Sequence, residues 1–237
     1  LRSFNMRMPE EINRILTDRI STKLFCPTQT AVDNLQREGI ESWANAEPAG
    51  LVRDVMQDGA FYYDTLAKIP EGVSLSDSFV LSTIHRAENT DDPQRLKQIV
   101  NALIDIASHE QVILPLHPRT KKIAESYGLD LSALTVIEPV GYLNMVWLIK
   151  NSSCVLTDSG GLQKEAFFFE KPCITMRDET EWVELVEAGV NVLVGASKNE
   201  ILVAYNALGE KTLEFDQAIY GGGVASKLIV NSIVNKA

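Results

Sequence analysis

Only three cysteines occur in the 237 residues, Cys26, Cys154 and Cys173, and no two of them form a C-x-x-C pair. That usage excludes a small disulfide-framed domain and, with three scattered histidines (His85, His109, His117), a zinc site. Cys154 and Cys173 lie in apolar runs, which predicts buried thiols in a reducing compartment. No apolar run approaches the length of a membrane span and no signal-peptide pattern is visible, so the expectation is a cytoplasmic protein. Positive charge is also scarce: 22 Lys and Arg against 32 Asp and Glu give a net charge of −10. A general nucleic-acid binder needs a basic stripe and is excluded. A small anionic ligand is not, because helix N-termini and a few arginines can make a local positive site. Two nucleotide fingerprints are missing as well. No G-x-G-x-x-G follows a first strand, and no glycine pair is followed by the Lys-Ser/Thr of a P-loop.

What is there is regular. Apolar residues make up 45% of the chain, enough for a sizeable core. "PEEINRILTDR" (9–19) reads as a helix start, with proline in the first turn and acids where the helix dipole favours them. A short strand over 22–28 and a helix over 29–39, closed by Gly39, follow. Residues 40–77 mix Pro, Gly, Ala and acids around a possible helix over 59–69, and read as a linker. From 78 onward strands and helices alternate. Strands are expected over 78–84, 111–117, 134–139, 153–158, 172–176 and 191–195. Helices are expected over 93–107, 118–127, 142–151, 161–170, 180–189 and 198–210, with a last amphipathic helix over 224–236. The strands are short, mostly unalternating and each followed by a helix. That pattern predicts a parallel sheet buried on both faces, a doubly wound α/β domain from about 78 to 215.

In such a domain ligands bind beyond the carboxyl ends of the strands. The residues found there are His85-Arg86-Ala87-Glu88-Asn89, His117-Pro118-Arg119, Pro139-Val140-Gly141, Asp158-Ser159-Gly160-Gly161 and Arg177-Asp178-Glu179. The glycine pair is the most telling. Gly160 and Gly161 lack Cβ, their amides belong to a helix start, and Ser159 adds a hydroxyl, so a phosphate fits there. Glu165 lies one turn further along the same helix. A carboxylate at that distance suits the vicinal diol of a ribose, and phosphate plus ribose make a nucleotide. A tight turn with a solvated Glu165 is the competing reading of the junction alone.

Five motifs, "MPEEINR" (8–14), "TIHRAEN" (83–89), "LHPRT" (116–120), "LTDSGGLQKEA" (156–166) and "MRDETEW" (176–182), together resemble the UDP-N-acetylglucosamine 2-epimerase family. The resemblance implies a Rossmann-like sheet within a two-domain fold of the glycosyltransferase-B type. It implies interconversion of UDP-GlcNAc and UDP-ManNAc by elimination and re-addition of UDP through 2-acetamidoglucal, without nicotinamide or metal. Glu10 then matches an active-site carboxylate and His85 the histidine on the diphosphate. Ser159, Gly160 and Gly161 match the phosphate turn, Glu165 the ribose carboxylate, and Arg177 an arginine on the substrate side. Arg86 and His117 are expected to line the cleft, and uracil to lie against 139–145. Residues 1–40 would be the remnant of an N-terminal α/β domain, 41–77 a linker, 78–215 the UDP-binding domain and 216–237 a crossover helix. A homodimer is expected for the full-length protein. The chain alone is expected to bind UDP weakly and turn over nothing. "ETEW" (179–182) is closer to members acting on modified UDP-sugars such as diacetamido uronic acids. An epimerase for such a sugar, a hydrolysing 2-epimerase and, further off, a UDP-sugar glycosyltransferase are the alternatives.

Overall fold

The computed structural model describes residues 2–43, 47–210 and 212–235. Residues 44–46 of the expected linker, residue 211 of the expected nucleotide domain, residues 236–237 of the expected crossover helix and residue 1 lie outside the described residues. The chain divides into two compact units, Leu1–Tyr62 with Asp216–Ala237, and Tyr63–Phe215. Among the described residues no helix is long and apolar enough to cross a membrane.

In the smaller unit, helix α1 (Pro9–Ile20) opens on its proline with Glu10 and Glu11 in the first turn. Strand β1 (Phe25–Cys26) is only two residues long, against the seven expected, and pairs in parallel with an unexpected β2 (Gly50–Leu51). Between them α2 (Gln29–Arg37) is capped by the Thr28 hydroxyl, which accepts from Ala31 N, and the chain leaves it through Gly39 at φ +74°. Its Val32 and Leu35 close a small core with Leu24, Cys26 and Ile40. Helix α3 (Val55–Asp64) begins four residues earlier than expected. The reason is a local cap: the Asp54 carboxylate accepts from Met56 N at 2.9 Å.

The larger unit follows the expected alternation. In chain order it holds β3 (Phe79–Thr83), α4 (Ala87–Thr90), α5 (Pro93–Ala107), β4 (Gln111–Pro115), α6 (Pro118–Ser126), β5 (Thr135–Ile137), α7 (Tyr142–Asn151), β6 (Cys154–Thr157), α8 (Gly160–Phe168), β7 (Cys173–Thr175), α9 (Val183–Glu187), β8 (Asn191–Leu193) and α10 (Lys198–Ala207). The six strands form one parallel sheet in the order β5-β4-β3-β6-β7-β8. The first three run outward one way and the last three the other, so the order reverses between β3 and β6. Alternate residues of β3 feed opposite layers. Val80 packs with Leu96, Ile99 and Leu103 of α5, whereas Phe79 and Leu81 pack with Leu148 of α7 and Leu162 of α8. With both faces covered there is no polar face to alternate, which is why these strands read as unbroken apolar runs.

The smaller unit is completed by the last helix, α11 (Ala225–Val234). Val224, just before it, provides no cap. Asp58 of α3 does, accepting from Ala225 N at 3.1 Å and Ser226 N at 2.7 Å.

Candidate functional site

The carboxyl ends of β3 and β6 flank the point where the sheet order reverses, the place where an open α/β sheet leaves a crevice. The two ends are stitched together. The Thr83 and Thr157 hydroxyls lie 2.6 Å apart, and Ser159 N donates to Thr157 Oγ1 at 2.9 Å. This fixes Ser159 as the N-cap of α8, its Oγ accepting from Leu162 N at 3.4 Å. Gly160 and Gly161 are the first two helical residues, so their amides have no intrahelical acceptor. A Cβ on Gly160 would lie 3.8 Å from each of Arg86 Nη2, Glu181 Oε2 and Trp182 Nε1. The helix mouth is thus bordered by one guanidinium, one carboxylate and one indole.

Glu165 stands on the next turn, nearly buried. Burial pushes its carboxyl above the usual range, against a hydrogen bond from the Tyr142 hydroxyl. Tyr142 in turn is pushed well up by burial and by the Glu165 charge. Its ring meets Tyr63 edge-on, with centroids 5.4 Å apart and planes at 86°. Neither tyrosine is among the residues singled out from the sequence.

Across the crevice the side chain of His85 is 51% exposed, and its Nδ1 lies 3.3 Å from Asp158 Oδ1. A cavity of about 230 Å³ is lined by His85, His117, Ser159, Met145 and Pro139, so three of the expected site residues share one hollow with part of the expected uracil segment. His117 is also the N-cap of α6, its Nδ1 accepting from Arg119 N at 3.2 Å. Arg86 is drawn to the glycine turn as described. Arg177 is not at the surface of the mouth. It is almost wholly buried, with Nη1 3.0 Å from Glu181 Oε2 and Nε 3.5 Å from Glu88 Oε1. The segment carrying it is strapped to α8. Trp182 Nε1 donates to Gly160 O at 2.8 Å, Thr180 Oγ1 donates to Gln163 Oε1 at 2.7 Å, and Lys164 Nζ lies 4.2 Å over the Trp182 ring. This strap is why α9 starts at Val183 rather than at 180.

Glu10 belongs to the smaller unit, where its side chain is exposed. The adjacent Glu11 is wholly buried and spent on structure, accepting from Ser3 N, Phe4 N and Arg14 Nη1. Burial pushes the Glu11 carboxyl up, but those donors outweigh it and hold it below the usual range. Among the described residues no group of three or more His, Cys, Asp or Glu side chains is disposed to hold a metal ion.

A doubly wound parallel sheet with an anion-suited helix start at its switch point defines a Rossmann-like α/β protein. Residues 1–234 match the family model described as UDP-N-acetylglucosamine 2-epimerase, and the chain belongs to that family. It is 57% identical over 230 residues to the UDP-2,3-diacetamido-2,3-dideoxy-D-glucuronate 2-epimerase of Pseudomonas aeruginosa, covering 97% of this chain and 64% of that protein. It is 40% identical over 244 residues to the UDP-N-acetylglucosamine 2-epimerase of Methanocaldococcus jannaschii, covering 97% of this chain and 65% of that one. The crystal structure of the M. jannaschii UDP-GlcNAc 2-epimerase in complex with UDP-GlcNAc and UDP superposes with a TM-score of 0.86 at 38% identity, over all of this chain and 67% of that one. The chain therefore spans a little under two thirds of the length of the relatives it matches.

Proposed function

We propose that the protein is a UDP-sugar 2-epimerase. UDP lies with its diphosphate at Ser159, Gly160 and Gly161, its ribose diol on Glu165, and its uracil against residues 139–145. One observation carries this reading: the free amides of a glycine pair and a buried carboxylate one turn on lie along a single helix at the sheet's switch point. That spacing suits a diphosphate followed by a vicinal diol. His85 supports departure of the diphosphate, Arg86 supplies positive charge beside it, and His117 lines the cavity. Arg177, held by Glu181, shapes the substrate side of the mouth. Glu10 keeps the role of active-site carboxylate that the family resemblance implies.

The chemistry follows from the leaving group. A base takes the C2 proton, its bonding pair forms the C1=C2 bond, and the C1–O bond breaks with its electrons on UDP. Return of UDP to C1 and of a proton to the other face of C2 inverts that carbon. A bound, neutralised diphosphate lowers the barrier to both halves.

Which sugar is attached is a finer matter. The 57% identity to the Pseudomonas protein, against 40% to the M. jannaschii one, favours a UDP-2,3-diacetamido-2,3-dideoxy uronate over UDP-GlcNAc. The test is C2–H exchange in heavy water, followed by NMR with each nucleotide sugar, on the chain and on a form extended to the length of the relatives. Deuterium at C2 with an inverted product supports the reading, and the faster substrate names the sugar. Transfer of the sugar to an acceptor without C2 exchange overturns it in favour of a glycosyltransferase.

A further inference from the structure

Asp158 directly follows β6, is wholly buried, and has no role in the reading above. Its contacts all fall on one short segment across the switch point. Both carboxylate oxygens accept from His85 N at 3.1 Å, and Oδ2 also accepts from Arg86 N at 3.0 Å and Asn89 Nδ2 at 3.2 Å. Oδ1 faces His85 Nδ1 at 3.3 Å. Asn89 is itself wholly buried and braced, donating to Met176 O at 2.9 Å and accepting from Arg95 Nε at 3.0 Å. One carboxylate thus holds the backbone of His85 and Arg86, the brace beneath them and one edge of the imidazole.

We infer that Asp158 is the positioning residue of His85: it claims the Nδ1 hydrogen and leaves Nε2 as the nitrogen offered to the ligand. The argument is one of hydrogen count. A carboxylate only accepts, so Nδ1 beside it carries the hydrogen, and the neutral ring has its lone pair on Nε2. A phosphate oxygen also only accepts. Where His85 meets a diphosphate, Nε2 carries a hydrogen too, and the ring bound to UDP is the imidazolium, its second proton taken from solvent. This last step rests on the proposed diphosphate site; the tautomer of the free ring does not. Other charged or titratable side chains at this rim have partners or places of their own: Arg86 Nη2 lies toward Gly160, His117 Nδ1 accepts from Arg119 N, Arg119 pairs with Asp91, Arg177 with Glu181 and Glu88, and Asp178 with Arg95.

Asp158→Asn separates this from a purely structural role. Oδ2 serves three donors, so the amide oxygen takes that position and the NH2 group falls at Oδ1, facing Nδ1. The ring is then forced to carry its hydrogen on Nε2. The measurement is a long-range ¹H–¹⁵N correlation spectrum of the imidazoles at a pH where they are neutral. The chain has three histidines, and loss of one set of signals in His85→Gln assigns the ring. The expected result is hydrogen on Nδ1 alone in the free wild type, on both nitrogens with saturating UDP, and on Nε2 alone in Asp158→Asn with or without UDP. Hydrogen on Nε2 in the free wild type, or an unchanged tautomer in Asp158→Asn, overturns the assignment. Should Asp158→Asn not fold, the wild-type tautomer decides alone. Should calorimetry show no UDP binding to the wild type, the diphosphate reading fails, while the free-ring spectrum still judges Asp158.

Discussion

Glu165 faces two demands that pull apart. Burial favours its neutral form, and a ribose diol needs the charged one, since only a carboxylate accepts from both hydroxyls. Each hydrogen bond to a charged group contributes about 1.5–3 kcal/mol net. Glu165→Ala is therefore expected to weaken UDP binding at least tenfold by calorimetry, at about 1.4 kcal/mol per decade. An unchanged affinity would leave the carboxylate without a ligand. The pH dependence has a definite sign. With its carboxyl raised, Glu165 takes up a proton at a higher pH than an ordinary glutamate, so affinity is full above that point and falls as pH drops through it. Tyr142→Phe removes a bond that favours the charge and moves this acid limb to still higher pH; a uniform loss at every pH would assign Tyr142 to packing alone. At Gly160 the two roles of a glycine separate. An added methyl meets its neighbours at 3.8 Å, an ordinary contact, so Gly160→Ala should melt at or near the wild-type temperature. It would nonetheless stand where the phosphate approaches, and UDP binding should fall. A large drop in melting temperature would show the glycine to be needed for the turn itself.

At the scale of elements, the smaller unit contains a test of backbone strain. Gly221, Gly222 and Gly223 all have positive φ, and a Cβ on Gly221 would come within 2.3 Å of Arg53 Cγ. Arg53 is itself at φ +74°, with Nη1 3.3 Å from Ala218 O. Gly221→Ala should cost about 1–3 kcal/mol, from a disfavoured conformation and a collision together. Urea unfolding followed by tryptophan fluorescence would read it, Trp43 reporting on this unit; an unchanged midpoint would mean the turn rearranges freely. Elements of this kind mark where sequence reading stops. The helices over 93–107 and 142–151 match residue for residue, because the first carries its own Asp92 cap and both carry long apolar patterns. The strand ends that gather His85, His117 and Ser159 were legible too, because a doubly wound sheet dictates which loops share a rim. The short helix α4 was not. It hangs on Asp158, some 70 positions along the chain, rather than on any local signal. The positions of Asp158 and Tyr142 fall in segments already marked at the rim, but their roles escaped for the same reason: each acquires its role only from a partner on another element. The strand over 22–28 shrank to two residues because only Phe25 and Cys26 find a partner, in Gly50 and Leu51.

For the molecule as a whole, charge and thiols set the background against which a ligand must act. A net charge of −10 opposes a diphosphate at long range, so its binding has to come from groups within a few ångströms, the glycine amides and Arg86. The three thiols are buried and take no part. Burial pushes Cys26 and Cys154 up and Cys173 to about 12, which keeps them as unreactive thiols. Ligand effects on stability should then reflect binding alone. A ligand that binds only the folded state stabilises it by about 2.7 kcal/mol at a hundred times its dissociation constant. For a domain of this size each kcal/mol is worth about 2–4 °C, so saturating UDP should raise the melting of the unit Tyr63–Phe215 by roughly 5–10 °C. Pyrophosphate at the same multiple of its own dissociation constant should do as much. At equal concentration it should fall short, because it lacks the ribose and base that Glu165 and the 139–145 segment would hold. Glu165→Ala is the deciding comparison: it should narrow the difference between the two ligands to what the base contributes, while leaving the pyrophosphate shift intact. A wild type in which UDP and pyrophosphate give identical curves would reduce the site to a phosphate clip and remove the nucleotide from the reading altogether.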